Sequence, residues 1–369
     1  MGTSMWFAGN AVSPDVVREA ALPESALAHI TSAVQVGFIA GTFLFSLLSI
    51  ADRFKPSSVF LCCALLGALF NGGIALRTEL GFILLSRFLT GFFLAGIYPV
   101  GMKIASDYFE KGLGQSLGWL VGALVLGTAF PHLLRSLSTE LPWRKIILTV
   151  SVLASVGGLI MFLFVPNGPF RKTPSTFRLS SFLDGFRDKT FRVAAFGYFG
   201  HMWELYAFWA FVPVIWKRYS LQAEKYFDTA LLSFWVIAAG AVGCVAAGIL
   251  SERMPAKKIA RVALMLSGLC CLSLPMMLNA PFYLILLFMI FWGIMVVADS
   301  PMFSSLVAQH APPQTRGTAL TIVTCIGFAI TIISIQVLGA LNAALHNSLI
   351  FLILALGPIV GVIGLFRKT

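Results

Sequence analysis

Charged residues are scarce in this chain. Only 11% of its 369 residues are Asp, Glu, Lys or Arg, whereas 58% are hydrophobic. A soluble globular domain carries about 25% charged residues, and a chain with so few cannot cover its surface with polar groups in water. This scarcity argues against an ordinary soluble protein and predicts one that folds in a lipid bilayer.

Acidic residues are scarcer than basic ones, with 15 against 26, which leaves a net charge of +11. In a soluble chain that excess would indicate a nucleic-acid partner. Here the basic residues lie mostly in loops between apolar runs, as membrane topology requires, so we expect no nucleic acid. The chain also lacks the phosphate-binding loop G-x-x-x-x-G-K-[ST] and a cleavable signal peptide, so we expect no ATP hydrolysis by that route and no removed leader.

Cysteine is rare as well, and all six cysteines lie inside apolar runs. None is spaced from His or acidic residues as metal ligands are, so we expect no disulfide, no metal site and no cofactor. The six are Cys62, Cys63, Cys244, Cys270, Cys271 and Cys325.

Long apolar runs are abundant. They are about 20 residues long, the length of a transmembrane helix, and they do not alternate in polarity as transmembrane strands do. We predict an all-α membrane protein with twelve transmembrane helices, of which the first is short enough that we expect residues upstream of Met1 to be missing. The predicted spans are Met1–Val17, Ile30–Ile50, Val59–Leu76, Leu80–Ala105, Leu113–Leu137, Ile146–Val165, Val193–Trp216, Thr229–Ser251, Ile259–Leu278, Phe282–Ala308, Ala319–Leu345 and Leu349–Phe366.

One long polar stretch, Pro166 to Arg192, holds six basic and two acidic residues. It predicts a cytoplasmic linker between a first six-helix bundle, residues 1–165, and a second, residues 193–369. Lys and Arg are more frequent in the loops on the side of this linker than in the loops on the opposite side. By the positive-inside rule, we expect a multi-pass protein of the inner (plasma) membrane with both termini in the cytoplasm.

The two halves repeat each other in sequence. ADRFK at Ala51–Lys55 resembles SERMPAKK at Ser251–Lys258, and each follows the second span of its half. FILLSRFLTGFFLAGIYP at Phe82–Pro99 resembles LILLFMIFWGIMVVADSP at Leu284–Pro301, with a glycine and the final proline aligned. Duplicated helical halves joined by a polar linker are a transporter architecture.

These segments resemble the major facilitator superfamily (MFS). GILSERMPAKK at Gly248–Lys258 is similar to that family's loop signature G-x-L-a-D-R-x-G-R-[RK], although Pro and Ala replace its second Gly and the following Arg. LSIADRFK at Leu48–Lys55 is a weaker copy, and Arg87-x-x-x-Gly91 resembles a second motif of the family. The resemblance covers nearly the whole chain and implies the MFS fold, two pseudo-symmetric six-helix bundles that transport a solute.

The charges of the two loops have a physical use. They can pair across the ends of helices and favour one of two packings, which a transporter that opens alternately to either side needs. The simpler interpretation is that the basic residues only set topology. We predict gating residues at Asp52, Arg53, Glu252, Arg253 and Lys257.

Arg87, Glu204 and Asp299 lie deep within predicted spans. A charge at the bilayer centre costs about 2.5–3.5 kcal/mol on insertion scales, so such residues face a partner or a wet cavity. Arg87 could bind an anionic group in a fork, or it could hold backbone or an acidic residue as a structural element. Asp299, Ser300 and Pro301 could form a polar site in a broken helix, or they could simply mark a kink.

The densest polar and aromatic cluster is HMWELYAFW, which begins at His201. His201 and Glu204 are three residues apart and so share a helix face, with Tyr206 at its border. A carboxylate beside an imidazole suits proton exchange or a polar ligand. In the simpler interpretation Glu204 pairs with another helix and the aromatic residues are ordinary core. No second pair of ligands accompanies the two residues, so a metal is not expected.

We therefore expect a monomeric secondary active transporter, and not an enzyme, that moves a small polar or anionic solute through the bilayer by alternating access with protons as the coupling ion. A membrane sensor or scaffold with the same fold but no transport is an open alternative. A membrane-embedded enzyme is a third, although only His201 and Glu204 could serve it. The predicted solute and proton pathway contains Arg87, His201, Glu204, Tyr206, Asp299, Asn10 and Gln35.

Overall fold

A computed structural model describes residues 1–23, 25–108, 112–137, 142–170, 186–311, 316–345 and 347–366. Those residues form helices and connecting loops, with no β-strand among them. The α-helices are α1 (Ser4–Glu19), α2 (Ala26–Leu47), α3 (Ile50–Arg53), α4 (Pro56–Gly73), α5 (Leu80–Leu94), α6 (Tyr98–Tyr108), α7 (Leu113–Leu137), α8 (Trp143–Phe164), α9 (Lys189–Gln222), α10 (Thr229–Leu250), α11 (Ala256–Met277), α12 (Phe282–Ala298), α13 (Ser300–His310), α14 (Arg316–Ala344) and α15 (Leu356–Phe366).

Twelve spans form the predicted all-α membrane fold, six in a first half (α1 to α8) and six in a second half (α9 to α15). Within the described residues, ten helical stretches are long and apolar enough to cross a membrane, and α1 and α9 complete the set. α1 has 16 residues, which at about 1.5 Å per residue is shorter than the bilayer core. The last span begins as a 3-10 helix, Ser348–Ala355, and continues as α15.

Two predicted single helices are each interrupted in the structure. α5 ends at Leu94 and α6 begins at Tyr98, while α12 ends at Ala298 and α13 begins at Ser300. In both cases proline is the second residue of the new helix, a position where its missing N–H breaks no helical hydrogen bond. The breaks therefore follow from Pro99 and Pro301.

Aspartate caps set where the first two helices of the second half begin. Asp188 accepts a hydrogen bond from the Phe191 N–H at 2.8 Å, and Asp228 accepts from the N–H groups of Ala230 and Leu231, both at 3.0 Å. Such bonds satisfy helical N–H groups that have no partner in the first turn. The Thr190 hydroxyl and the Phe191 N–H also hold the pKa of Asp188 below its ordinary value.

Close helix contacts repeat between the halves. A side chain on Gly91 of α5 would strike the Val34 carbonyl of α2, and one on Gly293 of α12 would strike the Val236 carbonyl of α10. Gly293 follows Gly91 by the same number of positions as Val236 follows Val34. Small residues allow such approach in membranes, and this explains why the two glycines align in the sequence repeat.

The two halves meet along two seams. α7 packs on α10, where Gly118 lies against the Cys244 carbonyl and Gly248. α2 packs on α14 along its length: the Gln336 amide donates to Ser32 Oγ at 2.8 Å near one end, and the Thr321 hydroxyl to Ser46 Oγ at 2.9 Å near the other. We call these the Ser32 end and the Ser46 end of the molecule. Both ends are held together in this structure.

Apolar side chains also cover the outside of the bundle. Leu69, Val242, Leu287 and Ile363 are exposed on helices whose other faces are buried. This surface suits lipid, not water. Residues 171–185 of the predicted linker lie outside the described residues, and so do Lys111, Arg367 and Lys368, three of the basic residues counted in the prediction of topology.

Candidate functional site

A small cavity of about 30 Å³ lies between the two halves. That volume accommodates a water molecule or two and no larger solute. Among the described residues that line it, none is charged; the polar groups are tyrosine and serine hydroxyls and one indole. The lining residues are Tyr98, Val121, Leu124, Tyr198, Met202, Leu205, Tyr206, Trp209, Val297, Ser300, Ser304 and Phe328.

Six aromatic rings pack together beside this cavity, and we call them the aromatic layer: Trp6, Phe7, Phe38, Tyr206, Trp209 and Phe328. Ring centroids of Trp6 and Phe38 are 4.6 Å apart, those of Tyr206 and Phe328 5.1 Å, and those of Trp6 and Phe328 5.4 Å. The first three rings belong to the first half and the last three to the second. Each such pair contributes about 0.5–1.5 kcal/mol beyond area burial, so the layer holds the halves together at their centre.

Arg87 is fully buried and binds within the first half. Its guanidinium donates to the Met5 carbonyl at 2.9 Å, to Asn71 Oδ1 at 3.0 Å and to the Trp6 carbonyl. Asn71 in turn donates to Ser151 Oγ at 3.0 Å. None of the partners described for Arg87 is a carboxylate. The residue thus ties α5 to α1, α4 and α8, and it does not line the cavity.

Glu204 is buried inside the second half. Its carboxylate accepts hydrogen bonds from Trp292 Nε1 at 2.7 Å, Ser267 Oγ at 2.9 Å and Cys271 Sγ at 3.2 Å. These donors come from α11 and α12. Glu204 is therefore paired with neighbouring helices, on the opposite side of α9 from the cavity.

His201 has a different partner from Glu204. Its Nδ1 lies 2.8 Å from Asp299 Oδ1, and both side chains are buried. Neither His201 Nε2 nor Asp299 Oδ2 has a hydrogen-bond partner among the described residues. Asp299 sits at the break between α12 and α13, next to Ser300, which lines the cavity. The pair can thus hold a proton one residue away from the cavity wall.

Of the seven residues predicted for the solute and proton pathway, Tyr206 lines the cavity. Asn10 and Gln35 are buried on α1 and α2, the helices that carry the first half of the aromatic layer. The four ionisable residues lie behind the wall, Arg87 in the first half and His201, Glu204 and Asp299 in the second. His201 and Glu204 both point into the second half, as their spacing predicts, but they do not meet at one site.

Sequence reasoning missed most of the cavity wall. Tyr198, Met202, Leu205, Tyr206 and Trp209 recur on α9 at helical spacing and form its cavity face. That stripe was visible in the sequence, yet an aromatic stripe on a membrane helix is equally typical of plain core packing. Ser300 was a candidate for a polar site in a broken helix, and it does line the cavity. Tyr98 and Ser304 gave no signal, because they reach the cavity through the two helix breaks.

The predicted gating residues lie at the Ser46 end. Asp52 and Arg53 are on the short α3, Glu252 and Arg253 are in the turn before α11, and Lys257 is in the first turn of α11. Asp52 forms an ion pair with Lys103, with 2.8 Å between Asp52 Oδ1 and Lys103 Nζ. The same ammonium lies 3.9 Å from Asp107 Oδ1. This contact joins the second and fourth spans of the first half. Arg53, Glu252 and Arg253 are exposed, and for them and Lys257 the described part of the chain supplies no ion pair. Their gating role stays a prediction.

Metal ligation finds no support in the described residues, which contain no group of three or more His, Cys, Asp or Glu side chains placed to hold an ion.

Comparison with known proteins agrees with the fold. The family model of the Major Facilitator Superfamily matches residues 1–335. The niacin transporter NiaP of Acinetobacter baylyi is 34% identical over 111 residues, 27% of this chain and 25% of that transporter. The match therefore spans only about a quarter of that relative.

Two solved structures share the fold at low sequence identity. The human organic anion transporter MFSD10 superposes with a TM-score of 0.69 at 15% identity, covering 98% of this chain and 96% of its own. A bacterial homolog of the human lysosomal transporter Spinster, in an inward-facing and occupied conformation, superposes with a TM-score of 0.67 at 15% identity. The superposition covers 93% of this chain and 79% of that homolog.

Proposed function

This chain belongs to the Major Facilitator Superfamily and is a membrane transporter, and from that premise we propose that it moves a small polar or anionic solute by alternating access. In this mechanism the space between the halves opens to one side of the membrane and then to the other. We further propose that residues 166–192 link bundles 1–165 and 193–369 on the cytoplasmic side, with both termini there.

The observation that carries the proposal is the small volume of the cavity between the halves. Its wall comes from both halves, and about 30 Å³ is too small for a solute. A solute can reach this wall only if the halves separate at one end. The structure thus fits an occluded intermediate, with the Ser32 and Ser46 ends both closed.

The cavity wall favours a solute with a flat ring. Tyr98, Tyr198, Tyr206, Trp209 and Phe328 present aromatic faces, and hydroxyls provide the hydrogen bonds. Pockets of this kind orient a ligand by a few polar groups on an apolar wall. The partial match to a niacin transporter supports an aromatic acid as one such solute.

Proton coupling is proposed through Glu204 and the His201–Asp299 pair. A proton on Glu204 would remove a charge-assisted acceptor from Trp292, Ser267 and Cys271, and so loosen α9 from α11 and α12. A proton on Asp299 would weaken its attraction to His201 beside Ser300 in the cavity wall. Either change would alter the packing of the second half around the solute.

Solute identity and coupling can be tested in sequence. A screen for solutes that raise the melting temperature of the purified chain identifies ligands of the folded form. Their uptake into proteoliposomes is then measured with and without a proton gradient. We expect Glu204→Gln to lose gradient-driven accumulation while it retains solute exchange.

The exposed Glu79 provides the matched control, because Glu79→Gln removes a carboxylate outside the core and should leave accumulation unchanged. Full gradient-driven accumulation by Glu204→Gln would remove the coupling role. If no stabilising solute is taken up by the unaltered chain, the sensor or scaffold alternative is favoured.

A further inference from the structure

Gln35 carries a buried amide that nothing in the described structure satisfies. The side chain is 0% exposed, and neither its Oε1 nor its Nε2 has a hydrogen-bond partner among the described residues. Buried polar groups are almost always paired, because a missing bond leaves the full desolvation penalty. In a transporter, a buried amide whose oxygen and nitrogen both lack a partner is therefore expected to bind a group that is present only during part of the cycle.

Helix geometry places Gln35 between the halves. At 100° per residue, the α1-facing side of α2 carries Thr31, which bonds Asn10, and Phe38, which packs on Trp6. The α14-facing side carries Ser32, which bonds Gln336. Gln35 falls on the strip between these two faces, where α2 meets both α1 and α14. It does not line the cavity of about 30 Å³, so a solute would reach it only when the halves separate.

Other unpaired polar atoms lie on α1 and on α9, whose rings pack against those of α1. Asn10 uses its amide N–H for Thr31 but leaves Oδ1 free, and the indole N–H groups of Trp6 and Trp209 have no described partner. All three side chains are buried. Asn10 lies one turn along α1 from Trp6, on the side of the aromatic layer towards the Ser32 end. Two unpaired indole donors therefore belong to the aromatic layer itself, and one unpaired amide acceptor lies one helical turn from it.

We propose that Gln35 is a solute-binding residue that recognises a group able both to donate and to accept a hydrogen bond. A carboxamide or a neutral carboxylic acid can pair with its Oε1 and Nε2 at once. The rings of Trp6 and Phe38 would pack against the planar ring of such a solute. This inference rests on the proposed function only in that it takes the space between the halves as the place where the solute binds.

Charge does not explain the site. Arg87, the cation on the neighbouring α5, is engaged by the Met5 and Trp6 carbonyls and by Asn71. Glu204 and Asp299 lie in the second half behind the cavity wall. A neutral hydrogen-bonding group is therefore a better complement to Gln35 than a fixed ion.

Two probes test the proposal; they differ in their ability to donate a hydrogen bond and in the bulk of two methyl groups, and the Gln35 variant separates the two effects. Benzamide can donate and accept, whereas N,N-dimethylbenzamide can only accept. We expect the purified chain to bind benzamide about tenfold more tightly, the equivalent of one hydrogen bond of roughly 1.4 kcal/mol. Gln35→Leu should abolish this difference, and its melting temperature without ligand should stay the same or rise, because the unpaired amide has gone.

Gln336→Leu is the matched control, because it removes an amide at the same seam that already has a partner, Ser32. It should retain the preference for benzamide. The proposal is overturned if the unaltered chain binds neither probe, if Gln35→Leu keeps the preference, or if Gln35→Leu melts lower and so reveals a structural role. Transport is measured separately. If the chain takes up other solutes but does not bind benzamide, the Gln35 proposal fails and the proposed function stands. If benzamide binds through Gln35 but no solute is taken up, only the proposed function fails.

Discussion

Arg87 illustrates how a buried cation can be structural in a transporter. It serves three acceptors at once and lies beside Gly9, where an added Cβ would come within 3.1 Å of its Nε. Two of the acceptors are backbone carbonyls of α1, directly at Trp6. The guanidinium therefore fixes α1, the helix that carries Trp6 and Phe7, two of the six rings of the aromatic layer.

Arg87→Lys tests this structural role. Lysine keeps the charge but cannot spread its donors in the guanidinium plane, so at least one buried acceptor is lost. We expect a loss of about 2 kcal/mol in unfolding free energy, on the order of one hydrogen bond to a charged group, measured by denaturant titration in detergent micelles. The exposed Arg77 supplies the control Arg77→Lys, which should have no effect. Unchanged stability with weakened binding of an anionic solute would instead support the solute-binding interpretation of Arg87.

Burial of the ionisable residues could be predicted, but their partners could not. The cost of charge in a bilayer correctly indicated that Arg87, Glu204 and Asp299 face inward. Whether Glu204 meets His201, Trp292 or the solute depends on how α11 and α12 pack around α9, and no pattern within α9 contains that information. The uncharged Gln35 carried an even weaker signal, since an amide in a membrane helix is tolerated at many positions.

Between helices, the repeated glycine contacts are the clearest link from sequence to packing. Gly91 and Gly293 could be aligned from the sequence alone, and the structure shows that each lies against a carbonyl of the facing helix, Val34 or Val236. Hydropathy did not place the breaks before Pro99 and Pro301, because Leu80–Tyr108 and Phe282–His310 are each apolar enough to form one continuous span.

Gly91→Ala and Gly293→Ala should be destabilising to a similar degree. An added methyl must push α5 away from α2, or α12 away from α10, and overpacking of this kind costs about 1–3 kcal/mol. Gly81→Ala on the same α5 is the control, because nothing lies within 4 Å of its added Cβ and alanine favours a helix by about 1 kcal/mol. Melting temperatures of the three variants in micelles check this. A neutral Gly293→Ala beside a damaging Gly91→Ala would show that the two contacts are not equivalent.

In the complete transporter, the two halves are in contact at both the Ser32 end and the Ser46 end, so a solute can enter only if one of these ends opens. The overall architecture of twelve spans in two halves was predictable from apolar runs and the internal repeat. The seams were not, because the contacts of α2 with α14 and of α7 with α10 depend on small residues that occur throughout the chain. Alternating access requires that each end of these seams can separate while the other stays closed.

Crosslinks across the α2–α14 seam test that requirement. Cysteines at Ser32 and Gln336, or at Ser46 and Thr321, replace pairs whose side chains touch, and a short bifunctional reagent can join them in a background without the six native cysteines. We expect either crosslink alone to stop net uptake, because an end that cannot open blocks half of the cycle. Cysteines at Gln222 and Asn279, which touch at 2.5 Å on one side of the seam, within the second half, provide the control crosslink and should leave uptake unchanged. Uptake that continues after complete crosslinking at either end would contradict a rocking motion of the two halves and require a solute path within one of them.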